Sequence, residues 1–159
     1  MNINIVDSAA PATAGLLNLD ARVLANLPPD LRDQLLDYLH HWGNPEELLA
    51  VIATLREAHG PLLFLLDYQA RAHYRAGQFE QALDVIERRQ RRSTTVASQV
   101  AEAQTLLATG HDAHAQNVAD DISQAHPTNI NALGGAAEIY TGLGRFDHAR
   151  LLLDTYLAR

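Results

Sequence analysis

The chain has 159 residues, a formal charge of −7, twelve basic side chains that are all arginine, and no cysteine. That length allows one domain with a buried core and no covalent staples. The missing cysteine excludes disulfides, thiolate metal sites and cysteine nucleophiles. The acidic balance weighs against nucleic acid as a partner. No run of roughly 18 apolar residues is present to span a membrane.

Residues 1–15, reading MNINIVDSAAPATAG, lack the basic start and apolar centre of a signal peptide. They are expected to form a loose tail on a cytoplasmic protein. A short leading helix is expected over residues 16–28, spanning Leu16 to Leu27 and ended by Pro28-Pro29. Residues 29–62 follow as a helical pair around Gly43, where Asn44-Pro45 supplies turn chemistry and a proline for the first turn of a new helix. Gly60 and Pro61 then punctuate the chain, and Pro61 is expected to open the next helix.

Over residues 63–96 and the residue before them, Leu62, Leu65, Leu66 and the stretch Tyr68 to Tyr74 make one apolar stripe, and Phe79, Ala82, Leu83 and Ile86 make another. Gly77 lies between them. Inside a single helix it would cost about 1 kcal/mol, whereas at the end of a helix it costs little. A hairpin corner is therefore expected at Gly77. Hydroxyls of Ser93-Thr94-Thr95 are placed to cap the next helix, and His126-Pro127-Thr128-Asn129 breaks and recaps the chain again.

The corner recurs. Gly77-Gln78-Phe79 with Ala82 is echoed by Gly144-Arg145-Phe146 with Ala149, and more loosely by Gly110 with Ala115, where Asp112 takes the aromatic place. The glycines stand 33 and 34 residues apart, and seven residues before each is an alanine: Ala70, Ala103 and Ala137. Gly43 extends the period upstream by another 34 residues in degenerate form.

This pattern resembles the tetratricopeptide repeat (TPR) family, whose units carry a small residue, then glycine-x-aromatic-x-x-alanine, and often a closing proline. The matches are Ala70, Gly77, Phe79 and Ala82; Ala103, Gly110, Ala115 and Pro127; and Ala137, Tyr140, Gly144, Phe146 and Ala149. Departures are His73, Leu106 and Asp112 at aromatic places, and a missing tryptophan-leucine start. The resemblance implies an all-α, right-handed α-solenoid of antiparallel hairpins over residues 16–159, with repeats at 63–96, 97–129 and 130–159 after the degenerate 29–62.

It also implies a concave groove lined by the first helix of each hairpin. Asp67, Arg71, Tyr74, Arg75, Gln104, Asn131 and Glu138 are the expected contacts for a protein or peptide partner, flanked by Val100, Leu107 and Thr141. A solvated helix face explains the same charged residues without a partner. The carboxylate clamp of heat-shock co-chaperones is not matched, since Asp67, Ala101 and Gly135 stand where it needs basic or amide side chains and only Arg71 and Asn131 are compatible.

Other features point away from chemistry. The run Glu87-Arg88-Arg89-Gln90-Arg91-Arg92 sits at a helix C-terminus, where cations complement the dipole. His111 and His114, near Asp120-Asp121, and the adjacent His40-His41 lack a third ligand at metal spacing. No phosphate loop or nucleophile elbow is present, so no catalytic residue, metal or cofactor is expected. Gly134-Gly135 within a helix implies close packing against the preceding hairpin, or a flexible point. The apolar last helix, Arg150 to Arg159, would be covered by a second copy in a homodimer or by a continuation of the chain. Two further readings stay open: a chaperone of the type III secretion kind, and the N-terminal recognition domain of a larger bacterial enzyme such as a transferase.

Overall fold

A computed structural model describes residues 20–158. Among them are nine helices and no strand: α1 (Ala21–Ala25), α2 (Pro29–Trp42), α3 (Pro45–His59), α4 (Leu63–Arg75), α5 (Phe79–Gln90), α6 (Val96–Ala108), α7 (Asp112–Ala125), α8 (Ile130–Gly142) and α9 (Phe146–Leu157). The expected tail lies outside the described residues, as does the start of the leading helix. The described part of that helix is the short α1, capped at its N-terminus by the Asp20 side chain. No described helix is long and apolar enough to cross a membrane.

Three corners share one backbone. Gly77, Gly110 and Gly144 have φ of 70, 76 and 71°, a left-handed region in which only glycine is free of Cβ strain. In each, the residue after glycine donates its N–H five residues back: Gln78 to His73 (2.9 Å), His111 to Leu106 (2.9 Å) and Arg145 to Tyr140 (2.8 Å). The glycine N–H donates three back, to Tyr74, Leu107 and Thr141. These are Schellman motifs, which satisfy the last carbonyls of α4, α6 and α8 while reversing the chain.

The corner at Gly43 is different. Its φ of −82° is ordinary extended backbone, and a Cβ there would sit 2.8 Å from the Leu39 Cα. Glycine is kept at this position by crowding rather than by handedness. The start of α4 also departs from expectation, at Leu63 rather than Pro61. Leu62 N–H bonds the Gly60 carbonyl across Pro61 at 3.0 Å, and the Pro61 carbonyl accepts from Arg92 Nη1 at 2.8 Å. Pro61 thus sits in a tight γ-type turn that precedes the helix.

Packing is strongest within the pairs α4–α5, α6–α7 and α8–α9. Neighbouring pairs join through α3–α4, α5–α6 and α7–α8. The first helices also touch in succession, α2 to α4, α4 to α6 and α6 to α8, and no comparable packing links α3, α5, α7 and α9 to one another. The first helices therefore form the shorter, inner side of the stack.

The six repeat alanines hold the crossings. Ala82, Ala103 and Ala115 are fully buried, and Ala70, Ala137 and Ala149 are no more than 5% exposed. Side chains this short let helix axes approach toward the low end of about 8–10 Å. The core changes character along the chain: leucine-rich around Leu36, Leu39, Leu48, Leu55 and Leu65, and alanine-rich around Ala103, Ala115, Ala119, Ala132, Ala136 and Ala137.

The paired glycines of α8 divide the two explanations the sequence leaves open. A Cβ on Gly135 would lie 2.3 Å from Val100 Cγ2, whereas one on Gly134 would meet nothing within 4 Å. Gly135 is therefore a packing glycine, where α8 presses on α6. Gly134→Ala is expected to stabilise by about 0.5–1 kcal/mol through helix propensity, and Gly135→Ala to destabilise by about 1–3 kcal/mol through overpacking. Urea unfolding of the two single variants measures both signs.

Candidate binding groove

The period of the chain puts Arg71, Gln104 and Glu138 at the same place in α4, α6 and α8. They form a row that grades from cation through amide to carboxylate. Gln104 Nε2 donates to Glu138 Oε1 at 2.9 Å, so these two close on each other. Arg71 makes no hydrogen bond or ion pair among the described residues, in contrast to Arg32, Arg88, Arg89, Arg91 and Arg150, which all pair with carboxylates.

Beside Arg71 is an open cavity of about 290 Å³ between the end of α2, α4 and α6. Ala70, Ile86 and Ala101 make its apolar floor, and His40, Arg71, Tyr74, Arg75, Gln104 and Thr105 make its polar rim. Four of the seven expected contacts thus meet in one place. Tyr74 is 39% exposed and is braced edge-on by Phe79 at 5.5 Å between ring centroids. Asn131 and Glu138 are exposed on α8 and do not line the cavity.

Besides the bonded Gln104 and Glu138, two more of the seven are engaged within the fold. Arg75 reaches back to α2, donating to the carbonyls of Leu39 (3.1 Å), His40 and Gly43 (2.8 Å). The Leu39 carbonyl already accepts the Gly43 N–H, so the guanidinium adds a second donor there, supplies donors to the His40 and Gly43 carbonyls, and complements the dipole of α2. Asp67 turns toward α5, accepting from Arg89 Nε at 2.8 Å. Arg89, 8% exposed, also bonds the Ser93 carbonyl and so ties the turn after α5 to α4.

Partners of this kind absorb the whole arginine run. Arg88 pairs with Asp84 at 3.0 Å and Arg91 with Glu87 at 3.3 Å, each one helical turn back. Arg92 holds Pro61. Such exposed pairs are worth about 0–1 kcal/mol each, and the run serves mainly to finish α5.

His40 was legible only as half of a histidine pair, because Arg71 lies 31 residues away in sequence. Its Nδ1 is shielded from solvent without a partner. Burial, followed by the positive charge of Arg71, lowers its pKa from the ordinary histidine value. Nearby, Tyr68 donates to Asp37, and burial together with that bond pushes the phenol up to about 12. Tyr68 is therefore a proton donor at neutral pH. Tyr140 and Asp120 form a similar pair near the other end of the stack, with the phenol again at about 12 because of burial and the Asp120 bond.

Among the described residues no three histidine or carboxylate side chains gather as metal ligands. His111 Nδ1 lies 2.8 Å from Thr109 Oγ1 at its corner, and His148 stacks on Tyr140. No protein-family model matches the chain, and no curated protein is significantly similar to it.

The two arginines of the rim are expected to separate in a stability assay. Arg75→Ala strips three bonds from the end of α2 and should cost about 1–3 kcal/mol. Arg71→Ala removes no bond and should stay within about 0.5 kcal/mol of wild type. Thermal unfolding followed by circular dichroism measures the difference.

Proposed function

We propose that this chain is a tetratricopeptide-type repeat module, a right-handed stack that docks a segment of a partner protein against its row of first helices. Its role is that of an adaptor, scaffold or chaperone-like holder, with no catalysis of its own. The observation that carries this reading is the cavity on the inner side of the stack, where Arg71 and Tyr74 are exposed beside an apolar floor. An apolar floor with a few polar groups on its rim suits side chains projecting from an extended or helical segment. Three Schellman corners of one geometry support the repeat assignment.

A second reading draws on α9. Val85 and Ile86 of α5, and Val118, Ala119 and Ile122 of α7, are buried next to α6 and α8 respectively. Their counterparts one period on include Leu153 and Tyr156, which are 45% and 38% exposed, beside Leu151 and Leu157 at 65% and 76%. A helix lying on α9 as α8 lies on α7 would cover this row, whether it came from a second copy or from a partner.

Site-specific photo-crosslinking distinguishes the two surfaces. A benzophenone side chain at Gln104, at Leu153, or at Glu80 as an outer-surface control is irradiated in cell extract. The groove reading expects a discrete protein adduct from Gln104 that is reduced several-fold by Arg71→Glu and absent from Glu80. Adducts from Leu153 alone would move the interface to α9.

A further inference from the structure

The cavity on the inner side is cationic within an acidic protein. No carboxylate lines it. Arg75 gives its hydrogen bonds to three backbone carbonyls at the end of α2, whose dipole offsets part of its charge, and no carboxylate pairs with it among the described residues. Arg71 has no partner at all among the described residues. The carboxylates that could have answered these charges are engaged elsewhere, Asp37 by Tyr68 and Asp67 by Arg89. Glu138, one place along the row beyond Gln104, is held by that amide. Two guanidiniums without a carboxylate, over an apolar floor, make a field that a small anion would satisfy more strongly than it could in water.

We propose that this cavity receives an aspartate or glutamate side chain from the docked segment, with Arg71 as the carboxylate's partner and Ala70, Ile86 and Ala101 packing against its methylene stem. The inference rests on the groove as a docking surface and adds the chemistry of what docks. A single free guanidinium matches one carboxylate through its forked donors. The other guanidinium is held back at the end of α2, so it contributes charge rather than contacts. A chain-terminal carboxylate would call for a larger cluster of free donors than the rim provides.

A proton is coupled to this event. The groups acting on His40 are Arg71 and Arg75 from α4, which disfavour its cationic form, and His41 and Asp37 on α2 itself, of which only Asp37 favours it. The Tyr68 ring also stands edge-on to it at 6.1 Å; from α6 the rim adds only the uncharged Gln104 and Thr105. Burial is the largest influence against the His40 cation and Arg71 the second; a carboxylate arriving beside Arg71 offsets the second and so favours proton uptake by His40 on binding. Affinity therefore rises as pH falls through the histidine range.

The test uses fluorescence anisotropy with three fluorescein-labelled peptides: an amidated one of alternating leucine and glutamate, its glutamine counterpart, and the glutamine peptide with a free C-terminal carboxylate. The glutamate peptide is expected to bind about tenfold tighter than the amidated glutamine peptide, and Arg71→Gln should erase that preference. Its affinity should strengthen several-fold between roughly pH 7.5 and pH 5.5. His40→Gln should flatten this dependence. NMR titration of His40 in the wild-type protein should show its pKa rising when the peptide is added. Equal affinity for the two amidated peptides, binding of none, or a preference that survives Arg71→Gln overturns the carboxylate pocket. A free-terminus peptide that matches the glutamate peptide overturns the side-chain assignment. Equal binding leaves docking itself intact, whereas loss of the Gln104 crosslink removes docking and its ligand together.

Discussion

Close approach at the alanine crossings is the constraint from which the rest of the molecule follows. A helix of 12 to 15 residues, the length of α2 to α9 here, gains little stability alone and depends on burying its apolar stripe. One hairpin buries part of that stripe, and the remainder has to be covered by the next. Ala70 on α4 and Ala82 on α5, both buried, and their equivalents in the two later hairpins, let the paired helices lie close enough for larger residues on either side to interlock. The left-handed glycine corners return the chain at the right height to make this possible. With both in place, successive hairpins share cores, and the inner row of first helices presents its outward side chains at one spacing.

Charge on that row has two destinations. Some groups close on the fold, as Arg75 does on the end of α2 and Asp67 does on Arg89. Others remain available, and Arg71 is the clearest of these. The difference arises from chain direction. α4 runs past the end of α2, so a guanidinium one turn after Arg71 meets the carbonyls of its last turn, while Arg71 faces the opening toward α6. The same asymmetry leaves Gln104 and Glu138 bonded to each other and Arg71 without an equivalent neighbour.

Much of the architecture was legible in the residues because it rests on local backbone needs. Gly77, Gly110 and Gly144 announce their corners through conformations other residues resist. Thr95 and Asn129 announce helix starts through side-chain caps, which they do form. Less was legible where a long-range neighbour decides. Gly43 fits the period and yet turns by a different backbone, and what requires glycine there is the Leu39 main chain that a Cβ would meet. Pro61 looks like a helix opener, but Arg92, 31 residues on, takes its carbonyl. For the cavity, Arg71, Tyr74, Arg75 and Gln104 could be gathered from the resemblance, which implies that first helices line one face. The inward commitment of Arg75 and Asp67, and the part played by His40, could not. A charged position on a helix carries no local mark of whether it meets water, a carbonyl or another ring.

The shift from leucine to alanine along the core has a bearing on how the stack comes apart. Larger side chains leave more apolar surface to expose, so the front of the molecule around α2 to α4 has the greater hydrophobic resistance to opening. The rear gains its cohesion from dispersion between closely spaced backbones, which weakens steeply with small separations. Since each hairpin leans mainly on those beside it, one end of the stack can loosen while the other stays assembled.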